Sequence, residues 1–297
     1  MIGIIAFFII IFCSLEAHAG DINEIMTGGA RILFPPSLIQ GAEEIARMYP
    51  GVKDETTKRL GIDLKAGPTV YLAHNEEFRR MTGGVSLVTA FAVPGADRIV
   101  INYSEMKNSS LILKSTLMHE LCHLMLHDYI DSSLLPKWFD EGVCQWVSGG
   151  MADIINFDNK KVLKEATITN SYIPLNVLRD RFPSQDKALM LSYAESRSII
   201  EYIHETYGRE GVLLIIEALH RGRTIDGAVR EVLSVTLKGL EKNWHAYLKR
   251  RYTWYYFVAD NILWIVFIFG ALITFAGYIR MRIRMRRHFK EDEEEPF

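Results

Sequence analysis

The sequence predicts an α+β domain, a small mixed sheet followed by a helical half, with a transmembrane helix at its C-terminal end. Three observations lead there. Strand-like runs of β-branched and aromatic residues fall before residue 108, helical periodicity takes over after it, and a charge-free apolar block of 19 residues, Asn261 to Ile279, stands near the C-terminus. Strands first and helices after is the order of a segregated α+β fold rather than an alternating α/β one.

The elements follow in order. Pro36 to Met48 reads as a short helix, PTVYLA (Pro68 to Ala73) as a strand, and EEFRRM as a second helix closed by Gly83 and Gly84. In VTAFAVPGADRIVIN two apolar runs flank Pro94-Gly95-Ala96-Asp97, the composition of a hairpin turn. SSLILKSTLMHELCHLMLHDYI is then a helix with Ser109 or Ser110 as its cap. KWFDEGVCQWVS is another, opened by Pro136 and closed by Gly149-Gly150. Further helical patterns run from Ala188 to Tyr207, Gly211 to His220, Thr224 to Leu233 and Leu237 to Tyr252.

The chain ends set the expected organisation. IGIIAFFIIIFCSL is 14 residues, short for a span, and Ala17-His18-Ala19 follows as a small-x-small cleavage pattern, so residues 1–19 read as a signal peptide; an uncleaved signal anchor is the competing reading. The C-terminal block, with its aromatic approach, defines a transmembrane helix over residues 257–279. Lys249, Arg250 and Arg251 precede it, whereas Arg280, Arg282, Arg284, Arg286, Arg287 and Lys290 follow it. That asymmetry puts the tail, 280–297, in the cytosol and the domain, 20–251, on the periplasmic or extracytoplasmic side of a cytoplasmic membrane.

Composition narrows the function classes. With 34 basic and 36 acidic side chains there is no cationic surface to attract nucleic acid. Only three cysteines are present and Cys13 falls in the signal, so this is not a disulfide-built scaffold. Cys122 and Cys144 read as small apolar residues packed where two helices meet, with a bridge between them left open.

The chemistry concentrates in HELCH. His119 and His123 are one helical turn apart on one face, so both imidazoles can reach a single Zn²⁺, and Glu120 beside them can act as a general base. Zinc at a catalytic site takes a third protein ligand and keeps its fourth position for water. His127 is no partner for both other histidines, because eight helical residues separate it from His119 by about 12 Å. It reads as a cleft-rim or hydrogen-bonded histidine, with support of a metal ligand as the lesser alternative.

HExxH followed by a second helix with W-x-x-E-G resembles the gluzincin zinc peptidases, in particular the peptidase-MA-like branch. TGGVSLVTAFAVPGADRIVIN, SYAESRSIIEYIHETYG and the closing helices are also similar to that family's layout, from about Val70 to Leu248. The resemblance implies a peptidase that binds one Zn²⁺ through His119, His123 and Glu141 with Glu120 as base; the lack of an aminopeptidase pattern leans toward an endopeptidase, with an exopeptidase left open. The resemblance also makes Tyr193 the candidate donor to the oxyanion, with His204 the weaker choice, and the hairpin around Ala90, Phe91 and Ala92 an edge strand that pairs with an extended peptide. A different class of function stays open at this stage, a zinc-stabilised module that binds a peptide or an envelope component without cutting it. Oligomeric state has no signature in the sequence.

Overall fold

The computed structural model describes residues 21–83, 88–106, 109–149 and 159–292. The signal peptide expected over 1–19 lies outside them, as do the last residues of the tail. The chain divides into two units, residues 1–244 and 245–297.

The first unit is built on a five-stranded sheet in the order β1-β2-β3-β5-β4, from strands Asn23–Thr27, Ala30–Phe34, Thr69–Ala73, Ala90–Val93 and Arg98–Asn102. The three inner strands run parallel to one another, and each edge strand is antiparallel to its neighbour. The β1–β2 hairpin is absent from the sequence reading. Its signal was Gly28-Gly29, whose φ values of 52° and 88° supply the left-handed pair that a two-residue hairpin turn requires. At the other edge β4 and β5 form the predicted hairpin, turning through Pro94–Ala96 and Asp97.

Helix α1 (Ile39–Leu60) runs twelve residues beyond its predicted end, straight through Pro50, to a left-handed cap at Gly61. Proline inside a helix forfeits a hydrogen bond. Here Ala42, Ile45, Tyr49, Val52, Thr56 and Leu60 form one buried face at helical spacing on both sides of Pro50, and that burial outweighs the loss. Helix α2 (Asn75–Met81) covers part of the sheet, with Phe78 packed among Tyr71, Ala73 and Val100. A single turn, α3 (Tyr103–Met106), leads out of β5.

The helical half begins with α4 (Ser110–Tyr129), capped as expected by Ser109, whose hydroxyl accepts from the Ile112 N–H at 3.3 Å. It packs beneath β4 and β5 and against α5 (Lys137–Ser148), which ends at Gly149 with φ 79°. Helix α6 (Asn159–Thr169) follows. Helix α7 (Asp186–His220) joins two predicted helices across Gly208, whose φ of 77° and ψ of 173° are not helical. Thr224 caps α8 (Ile225–Leu233). The last helix, α9 (Leu237–Asp292), starts in the first unit, where Trp244 is fully buried and donates to Ser198 Oγ at 3.1 Å.

In the second unit, Asn261–Arg282 is long and apolar enough to cross a membrane, and none of its most apolar window is buried.

Candidate metal centre and active-site cleft

Two helices carry the site, and local chemistry fixes each. The exposed N–H groups at the start of α5 need partners outside the helix. Those of Lys137 and Trp138 donate to the carbonyls of Arg179 and Leu178 at 2.7 and 3.1 Å. Gly142 then lets α5 lie directly on α7, since a Cβ there would collide with the Ser196 carbonyl and Ile200. The glycine of WFDEG is thus a packing requirement that seats Glu141. Across the other face, Ser115 Oγ donates to the Ser148 carbonyl at 2.8 Å, tying α4 to α5.

Cys122 and Cys144 meet in that same interface, both fully buried, their Cα atoms 5.3 Å apart and their sulfurs joined in a disulfide. The expected place is where they sit. The bond itself, left open in the sequence, follows from packing that brings the two segments within bridging distance.

His119, His123 and Glu141 converge at the floor of a cleft and are all buried. Nε2 of His119 lies 3.0 Å from Nε2 of His123, and Glu141 Oε2 is 3.6 Å from each. The donor set fits zinc, because ligand atoms at about 2.0–2.1 Å in a tetrahedron stand roughly 3.4 Å from one another. His123 is also oriented for it: Asp140 Oδ1 holds Nδ1 at 2.7 Å, which leaves Nε2 to face His119.

Electrostatics point the same way. Burial opposes charge on every group, yet Asp140 and Glu141 together raise the pKa of His123 to about 10. Glu141 is held well below the usual carboxylate range against its burial, chiefly by Lys137 and His123. Asp140 is held low against its burial by His123, His127 and Lys137, and Lys137 is pushed up against its burial by Glu141 and Asp140. Such a cage favours positive charge between its carboxylates. A divalent ion would supply that charge.

The cleft above has a volume of about 270 Å³. Its walls include Ala90, Phe91 and Ala92 of β4, together with Glu120, His127, Lys137 and Tyr193. Glu120 is buried at the floor, and Tyr193, from α7, meets Phe182 edge-on at 5.1 Å. His119, Glu120, His123, Glu141 and Tyr193 are therefore brought to one cavity. His204 is not among the described lining residues and instead packs on Trp146 at 5.3 Å.

His127 sits at the rim and is hydrogen-bonded there, in keeping with expectation. Its Nε2 reaches Asp140 Oδ2 at 3.3 Å and its Nδ1 meets Ser132 Oγ at 3.1 Å, so Asp140 bridges two histidines. Asp140 and Lys137 were not singled out by sequence reasoning. The only signal available was position, one and four residues before Glu141, and acidic or basic residues there are ordinary on any helix.

The sequence matches the Peptidase MA superfamily over residues 79–250, more than half of the chain. Among curated proteins none matches. Among solved structures, yeast LTA4 hydrolase in complex with bestatin is similar with a TM-score of 0.43 and 8% identity, over 67% of this chain and 34% of that one. The chain thus spans about a third of that protein's length. From the match over residues 79–250, with the paired histidines and glutamate gathered in one cage, the chain belongs to the Peptidase MA superfamily of metallopeptidases, with a gluzincin-type ligand set.

Proposed function

We propose that the protein is a membrane-anchored zinc peptidase, acting more as an endopeptidase than an exopeptidase, whose metal ligands are His119, His123 and Glu141. The observation that carries this reading is the buried convergence of those three side chains at the floor of a cleft walled by an edge strand. Bound zinc would supply a Lewis acid and a water acidified to a pKa of about 7.

The rest of the chemistry falls to the chain. An extended peptide can add along β4, the outer strand of the sheet, where main-chain hydrogen bonds give affinity with little sequence preference. Glu120 takes the proton of the attacking water and passes it to the departing amine. The Tyr193 hydroxyl donates to the carbonyl oxygen as negative charge grows on it. Asp140 keeps His123 in the tautomer that presents Nε2 inward.

The anchor is the Asn261–Arg282 stretch, long and apolar enough to span. Three basic residues before its charge-free run, 261–279, against six after that run support a cytosolic C-terminus and an outward-facing peptidase domain, residues 20–251, made after a signal peptide of residues 1–19.

The test is Glu120→Gln. The variant should hold one zinc per chain by metal analysis while its hydrolysis of cell-envelope peptides falls about 10²–10⁴-fold, the usual contribution of a general base. Undiminished cleavage would remove Glu120 from the mechanism. A wild-type protein that carries no zinc, keeps full stability and holds peptides uncut would replace the peptidase reading with a binding module.

A further inference from the structure

Lys137 occupies a place that helix energetics disfavours. It is the first residue of α5, where aligned peptide dipoles repel a cation. Its pairing with Glu141 runs Lys-to-Glu at i, i+4, the weaker of the two orientations. Nζ nonetheless lies 2.5 Å from Glu141 Oε1 and 4.0 Å from Asp140 Oδ2.

The consequence is a division of labour between the two oxygens of Glu141. Oε1 is taken by Lys137, while Oε2 stands 3.6 Å from Nε2 of both His119 and His123. Charge matches as well. Glu120, Asp140 and Glu141 bring three carboxylates to the cleft, and a divalent ion together with Lys137 brings three positive charges.

Resting on the reading of Glu141 as a ligand, we propose that Lys137 is a positioning residue whose ammonium holds Oε1 so that the carboxylate meets the metal through Oε2 alone. A coordination position then stays open for water. Without the ammonium, Oε1 is free to turn toward the metal and occupy that position, because carboxylates bind with one oxygen or with two.

Substitution of Co²⁺ for zinc reads this directly, since visible absorption by cobalt weakens as its coordination number rises. The full chain is loaded with one Co²⁺ as wild type, Lys137→Met, Lys137→Arg and Glu141→Ala. Lys137→Met should bind one Co²⁺ with its visible absorption lowered about twofold or more, and Lys137→Arg should restore most of the wild-type spectrum, as a guanidinium can hold the same oxygen. Lys137→Gln is read in the same way if the methionine variant does not fold. A spectrum unchanged in Lys137→Met, or equally changed in Lys137→Arg, overturns the proposal. Cobalt binding that survives intact in Glu141→Ala removes Glu141 as a ligand and so overturns the ligand set itself, an outcome distinct from failure of the lysine's role.

Discussion

Two stretches of helix in this chain, α4 and Asn261–Arg282, are rich in apolar residues, and they differ in what covers them. α4 buries thirteen residues between Leu113 and Leu126, among them two imidazoles and a carboxylate. In Asn261–Arg282 the side chains point outward, Leu263 being 82% exposed, and no charged residue occurs before Arg280. Protein neighbours can answer a polar group with Asp140, Glu141 or a cleft, so α4 can carry chemistry inside the core. Hydrocarbon offers no such partner, and a helix meant for it must be free of charge. Apolar composition is common to both helices; partners are what separate them.

Substitution of one leucine in each helix is the sharpest way to break that comparison. Leu121→Ala, at a fully buried position, should destabilise the detergent-solubilised protein by about 2–5 kcal/mol, whereas Leu263→Ala should leave its thermal midpoint unchanged. Equal losses would mean that Leu263 is packed against protein. A smaller effect probes the partners themselves: Asp140→Asn keeps the shape but removes the charge beside His123, and zinc affinity by chelator competition should fall about 10–100-fold. Unchanged affinity would reduce Asp140 to a bystander.

The smallest effect concerns a buried carboxyl outside the metal cage. Glu195 on α7 is fully buried, accepts from the Ile173 N–H at 3.1 and 3.3 Å, and has its pKa raised to about 8 by burial, with the charge of Glu241 adding to the rise. Its folded pKa lies above the ordinary 4.5, so its contribution to stability is complete below about pH 4.5 and is lost as pH rises through about 8. Glu195→Gln should match the wild type near pH 4.5 and be the more stable protein at pH 6, by on the order of 2 kcal/mol in thermal melts. A gap opening in the opposite direction would show that the ionised form is the one the fold prefers.

Much of this was legible in the sequence because it is periodic or punctuated. Ser109, Pro136, Gly149 and Thr224 mark helix ends where the structure has them, and Pro94 to Asp97 turns the predicted hairpin. The end of the first helix was misplaced at Met48, since the residues that carry α1 on through Pro50 are held by a buried face that only assembles against the sheet. Gly28-Gly29 passed unread between two five-residue strands, too short for alternation to stand out.

The pairing of His119 with His123, the glutamate between them and the apolar C-terminal block are legible in the residues alone, because helical pitch and the length of an apolar run are properties of consecutive residues. Packing alone brings Glu141 to those histidines, sets Asp140 against His123 and Lys137 against Glu141, and joins Cys122 to Cys144. These depend on how closely α4, α5 and α7 pack, down to the missing Cβ of Gly142. Distances between segments remote in sequence are set by the whole core, and no short stretch of residues contains them.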